Sequence, residues 1–129
     1  MEEFTVEEII EYHIEIIQES DREEDQGLGG KLLIPGNLDF VVEISKGYSD
    51  PFEKAAFILH GLATGHAFIE GNKRIAFLLA SLVLFRAPER YEILSSPEEN
   101  NQFVRSVAEG RITKEKVEIW LRSVTKKGC

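Results

Sequence analysis

His66-Ala67-Phe68-Ile69-Glu70-Gly71-Asn72-Lys73-Arg74, running into the apolar stretch Ile75–Phe85, decides the reading of this 129-residue chain. Ile75–Phe85 is hydrophobic nearly all round, as a helix at the centre of a core is. The pattern predicts a helix from about Asn72 to Phe85, closed by Ala87-Pro88. Its first turn carries Lys73 and Arg74. A helix N-terminus already presents unpaired N–H groups and partial positive charge, so acidic residues normally sit there. Two cations at that end break a local rule, and such breaks concentrate at functional sites. An anion docked on the helix end resolves the conflict, because free N–H groups, Lys73 and Arg74 then converge on it. Gly71 removes a side chain where backbone and ligand meet.

Just upstream, His66 is the residue type best suited to take a proton near neutral pH. Glu70 adds a carboxylate that a phosphate would repel unless a cation lies between them, and a hard ion such as Mg²⁺ fits that role. Base, metal ligand, anion cradle and cations within nine residues are the parts that phosphoryl-type transfer needs. That chemistry depends mainly on positioning and charge stabilisation. The stretch is not a Walker A loop, since Gly65 to Gly71 has one residue too many and Asn72 separates glycine from lysine. Taken singly, each residue has an ordinary reading. Lys73 and Arg74 read as a solvated pair snorkelling from a buried helix, His66 as a loop histidine, and Glu70 as a favourable charge before a helix start. The joint pattern is far more specific than its members.

Working outward, Thr5 and Glu8 form a capping box for a first helix with Val6, Ile9, Ile10, Ile14 and Ile17 on one face. That helix fades near Ser20, and His13 on its apolar face reads as a hydrogen-bonded core histidine. The acidic run Asp21–Asp25 reads as a solvated loop, and Gln26–Gly30 as a flexible connection. Lys31-Leu32-Leu33-Ile34 reads as a short strand or flap entering the turn Pro35-Gly36-Asn37. Asn37 is a candidate cap for a short helix with Leu38, Val41, Val42 and Ser45 on its face. Ser49-Asp50-Pro51 starts a helix that Gly65 can end. His60 and His66 do not share a helical face, which argues against a two-histidine metal site. Further helices are expected over Pro97–Glu109 and Lys114–Thr125, the latter capped by Thr113 with Trp120 at core spacing. The sum is an all-α bundle of about six helices with one short β-like flap.

Length suits one domain over residues 1–129. No apolar run approaches the roughly 18 residues a membrane span needs, and the acidic Met1-Glu2-Glu3 start is unlike a secretory signal. A cytoplasmic protein is the expectation. Cys129 is the only cysteine, so no intrachain disulfide or cysteine-based metal site is available. The formal net charge of −8 argues against direct binding of nucleic acid. Phosphate therefore has to be held by a local cluster of donors and cations.

His66–Arg74 resembles the Fic/Doc signature, H-x-F-x-[DE/N]-[AG]-N-[GK]-R. Phe52–Gly65 resembles the helix before that motif. Val107–Ile112 with Trp120-Leu121 is similar to the usual Doc-type C-terminal end. The resemblance implies the Fic/Doc-type helical bundle and an enzyme that uses ATP or another nucleoside triphosphate with Mg²⁺. By the same resemblance His66 is the base that activates a target hydroxyl, Phe68 anchors the loop, and Glu70 ligates Mg²⁺. Gly71 and Asn72 supply the anion-binding backbone, and Lys73 and Arg74 bind phosphates. Leu32, Leu33 and Ile34 lie in the flap that aligns a target peptide by main-chain pairing.

Lys73 stands where adenylyltransferases of the family have glycine, and Phe77 stands where they have a second arginine. Both make the chain similar to the Doc (death-on-curing) form. That form implies a toxin of a toxin–antitoxin pair, moving a terminal phosphate onto a hydroxyl of a translation elongation factor. Glu70-Gly71 is common in the Fic form, which implies transfer of AMP instead. A third reading is a non-catalytic helical interaction module. Ser95–Asn100 fits the letters of the family's inhibitory motif, S/T-x-x-x-E-G/N, although the segment also reads as a helix start. Without such a motif, restraint would fall to an antitoxin whose disordered segment folds into a groove.

Overall fold

In a computed structural model, which describes residues 3–128, the central apolar run forms helix α4 (Asn72–Arg86). Cys129 and the Met1-Glu2 start lie outside the described residues. Ile75, Ala76, Leu79, Ala80, Val83 and Leu84 of α4 are buried. Its widest contact is with α3 (Pro51–Gly65), which Asp50 caps by accepting the N–H groups of Phe52 and Glu53. Around this pair stand α1 (Val6–Gln18), α2 (Pro35–Ser45), α5 (Pro97–Ala108) and α6 (Lys114–Val124). The Thr5–Glu8 capping box of α1 is present in both directions, at 3.1 Å each way. An all-α bundle with six α-helices among the described residues is therefore the observed architecture.

Two local details differ from expectation, and a third was not anticipated. Helix α2 begins at Pro35, not after Asn37: Pro35 occupies the first turn and Ile34 the cap position. Proline has no N–H to leave unpaired there, and its fixed φ suits a helix start, so the Pro-Gly pair is not a turn. The expected face of α2, Leu38, Val41, Val42 and Ser45, is the buried one. Secondly, α6 gives way at Thr125 to a strand, β2 (Thr125–Lys127), which pairs antiparallel with β1 (Tyr91–Ile93). Three residues are too few to show a strand period in sequence. Thirdly, Lys54 on α3 is buried beside the apolar core, where its ammonium meets the carboxylate of Glu3. A buried ammonium needs such a partner. Among the described residues no helix is long and apolar enough to cross a membrane.

Candidate active site

The loop from α3 to α4 is fixed from both ends. Helix α3 stops at His66, whose backbone is left-handed at φ 55° and ψ 43°. That conformation costs a non-glycine residue about 1–2 kcal/mol, and strain of this kind is held at functional positions by surrounding structure. The preceding Gly65 is needed because a Cβ there would lie 2.0 Å from Asn37 Nδ2 on α2. At the other end Asn72 folds back onto Phe68. The Phe68 N–H donates to Asn72 Oδ1 at 2.9 Å, and Asn72 Nδ2 donates to the Phe68 carbonyl at 2.8 Å. The polar backbone of a buried aromatic residue is thus satisfied by one amide.

His13 of α1 supports this loop from beneath. Its ring is fully buried and stacks on Phe68, with centroids 3.8 Å apart and planes 5° from parallel. Nδ1 accepts the N–H of Gly30 at 2.9 Å. Because a backbone N–H can only donate, Nδ1 is unprotonated and the ring proton lies on Nε2. Nε2–H then donates to the Glu70 carbonyl at 2.6 Å. Burial is the chief cause that pushes the His13 pKa below 6.5; the Glu70 carbonyl acts the other way, and the Arg74 charge lowers it further. Gly71 follows in the left-handed region at φ +82°, where a Cβ would stand 3.0 Å from His13 Nε2. The glycine lets the loop sit directly on the histidine.

Glu70, Gly71, Asn72, Lys73 and Arg74 line one wall of a cleft of about 890 Å³. Further lining comes from Tyr12 and Glu15 of α1, Glu19 just after it, and Asn101 and Arg105 of α5. Phe77, at the position of the missing second arginine, contributes apolar surface. His66 is exposed and is not part of this wall. The motif therefore presents the histidine at the start of the loop and the cleft-lining residues at its end and in the first turn of α4.

Arg74 has a partner that its sequence position gave no sign of. Its Nη1 and Nη2 donate to Asp25 Oδ2 and Oδ1, both at 2.9 Å. Asp25 is completely buried, and Ser20 Oγ also donates to it at 2.5 Å. The Arg74 hydrogen bonds, acting against desolvation, hold the Asp25 carboxyl at a pKa of about 2. The solvated-loop reading of Asp21–Asp25 is thus wrong for its last residue. Asp25 closes a short 3-10 turn, Glu23–Asp25, and is drawn inward by a cation 49 residues along the chain. The Gly-rich connection behind it is ordered by Leu28 N–H donating to the Asp25 carbonyl and by the Gly30–His13 bond.

The flap is a single antiparallel bridge, Leu32 opposite Phe68. Leu33 N–H and Ile34 N–H both donate to the Ala67 carbonyl, at 2.7 and 3.2 Å, and Ile69 N–H donates to the Lys31 carbonyl. Leu32 thus sits in a non-hydrogen-bonded pair, so its own N–H and C=O point away from the motif loop. Leu33 and Ile34 are 57% and 47% exposed and are tethered to the residue after His66.

Among the described residues no group of three or more His, Cys, Asp or Glu side chains is placed to hold a metal. Glu70 lines the cleft, and Mg²⁺ is commonly held by one or two carboxylates together with substrate phosphates and water. Glu99, the residue that would matter in an inhibitory motif, accepts the Ser96 hydroxyl at 3.1 Å and belongs to the capping box of α5.

Fold and site together define a helical protein with a cleft at the start of its central helix, lined there by Lys73 and Arg74, and a histidine in the loop before it. The sequence matches the Fic/DOC family model over residues 3–84, which include flap and loop, and the chain belongs to that family. A Fido domain-containing protein of Dictyostelium discoideum is 36% identical over 59 residues, 46% of this chain and 41% of that protein. The solved structure of Fic-1 from C. elegans superposes with a TM-score of 0.61 at 22% identity, over 95% of this chain and 43% of that one. The chain thus spans less than half the length of either relative.

Proposed function

We propose that this chain is a single Fic/Doc-type domain that transfers the terminal phosphate of ATP, or of another nucleoside triphosphate, to a hydroxyl of a protein. The observation that carries the reading is the clasp of Asn72 on Phe68, at 2.9 and 2.8 Å. It supports the reading by tying the loop that carries the exposed His66 to the first residue of α4. Phosphates enter the cleft over the free N–H groups of the first turn of α4, with Lys73 and Arg74 as cations. The target peptide lies along the flap, pairing with the outward N–H and C=O of Leu32 and resting on Leu33 and Ile34. A hydroxyl held there is next to His66, which accepts its proton. The hydroxyl oxygen forms a bond to the terminal phosphorus. The bond from that phosphorus to its bridging oxygen breaks, and the electron pair leaves with the nucleoside diphosphate. Mg²⁺ held by Glu70 and the phosphates would neutralise charge developing on the transferred group.

Lys73 in place of glycine and Phe77 in place of a second arginine favour the Doc-like reaction over adenylyl transfer. The role of a cytoplasmic toxin follows from that likeness, with a translation elongation factor as target and an antitoxin as restraint. Glu70-Gly71 favours the second reading, in which AMP is transferred from the same cleft. The test is a Mg²⁺-dependent transfer assay on total cytosolic protein with γ-³²P-ATP and α-³²P-ATP in parallel, with His66→Ala as control. Label from γ only, lost in the variant, is expected. Label from α establishes adenylyl transfer instead, and label from neither overturns both.

A further inference from the structure

The cleft contains Arg74, but the carboxylate that binds Arg74 lies outside it. Asp25 is completely buried and is not part of the cleft wall, whereas the Arg74 side chain is about a third exposed and is. The carboxylate takes one N–H from each terminal guanidinium nitrogen. Three N–H groups remain: the one on Nε and one on each Nη. The Nε–H and its neighbouring Nη–H form a second fork of the geometry that binds two oxygens of a phosphate. We propose that Asp25 is a positioning residue for the transfer reaction, holding one fork of Arg74 from behind the wall so that the other faces the phosphates in the cleft. The assignment rests on the functional reading above.

Several features separate this arrangement from a brake or a chance surface pair. A carboxylate that blocked the site would stand in the cleft, in the place of a phosphate. Asp25 instead has both oxygens satisfied inside the protein, Oδ1 by Arg74 and Oδ2 by Arg74 and Ser20. Its backbone is fixed by the 3-10 turn, with Gln26 N–H on the Glu23 carbonyl and Leu28 N–H on its own. The same segment is tied to the motif a second time through Gly30, His13 and the Glu70 carbonyl. Both ends of residues 25–30 are thus attached to the residues that flank the anion cradle. The buried carboxylate also cancels much of the Arg74 charge. Its contribution is geometric, because it costs attraction for phosphate while fixing direction.

The test compares wild type, Asp25→Asn, Arg74→Lys and the double variant for ATP KM and kcat in the transfer assay. Binding of inorganic tripolyphosphate is measured by calorimetry, and the folded fraction by thermal melting. Asp25→Asn is expected to lower kcat by about 10²-fold, the scale of a misplaced catalytic group. KM and tripolyphosphate affinity should be retained or improved, because Arg74 regains charge. In the Arg74→Lys background, which lacks a fork to aim, Asp25→Asn should have no further effect. If Asp25→Asn does not fold, Ser20→Ala gives the same kcat-only loss in smaller degree. An unchanged or raised kcat for Asp25→Asn, or an equal loss in both backgrounds, overturns the assignment. Wild type that transfers no label overturns the functional reading and this assignment with it.

Discussion

Nε2 of His13 lies 2.6 Å from the carbonyl oxygen of Glu70, 57 residues away in sequence, while Nδ1 of the same ring takes the Gly30 N–H. One buried imidazole thus joins the connection after α1 to the loop before α4. Replacing it by alanine leaves that carbonyl and that N–H without partners, at about 1–3 kcal/mol each, and opens a cavity under Phe68. His13→Ala is expected to lower unfolding free energy by roughly 3 kcal/mol or more in urea titration. His13→Phe keeps the stack and loses only the hydrogen bonds, so it should cost less. Equal stability of His13→Ala and wild type would remove the ring from this role.

The same histidine sets an acid limit. Its folded pKa is depressed below 6.5. The unfolded chain therefore takes up its proton first as pH falls, and the stability present above pH 6.5 is lost on the way down through the folded pKa. Asp25 behaves as a depressed carboxylate. Its contribution is full above 3.8 and is lost as pH falls toward about 2. Melting temperature should drop in two stages on acidification, the first assigned to His13 and the second to Asp25. Histidine-to-glutamine exchange at position 13 should abolish the first stage alone. A single drop confined to pH below 4 in wild type would contradict this order.

Asn72 has a different balance of effects. Its amide makes two hydrogen bonds, both to the backbone of Phe68, and Asn72 is the first residue of α4. Losing them should cost about 1–3 kcal/mol of stability. Transfer should fall further, by about 10²-fold, if the proposed reaction relies on the clasp to hold the loop between His66 and the cleft. Asn72→Ala assayed where it is fully folded checks the point; activity within a factor of about two of wild type would deny the clasp a role in positioning.

Glu99 tests whether Ser95–Asn100 restrains the proposed transfer. Its carboxylate serves the start of α5, accepting from Ser96. Glu99→Ala should cost about 1 kcal/mol, the scale of a lost hydrogen bond, and leave the transfer rate unchanged. A rise in rate of tenfold or more would give the segment an inhibitory role.

Much of this was legible because it is local. The N-terminal cap at Thr5, the Pro51 start of α3 and the all-round apolar α4 each follow from a handful of adjacent residues. The two cations at the start of α4 stood out because they oppose the helix dipole. What escaped depends on partners far along the chain. Asp25 looks no different from Asp21, Glu23 or Glu24 until Arg74 is brought beneath it. Nothing local to Lys54 marks it as buried; that depends on Glu3, 51 residues away. His13 was legible as a buried histidine from its apolar face, but neither of its partners was.

His66 carries the last prediction, in which stability and activity move in opposite directions. Its backbone is left-handed at φ 55°, and its side chain is exposed. Glycine adopts that conformation without the penalty a Cβ brings. His66→Gly should therefore raise stability by up to about 1 kcal/mol, while removal of the proposed base lowers transfer by about 10²–10⁴-fold. His66→Ala should lose the same activity without the gain, since alanine keeps the Cβ. The pair separates the two properties of the residue, read by melting temperature and by γ-label transfer. If His66→Gly is less stable than His66→Ala, the strain is not at this residue. If both transfer label at the wild-type rate, the proton goes to another group.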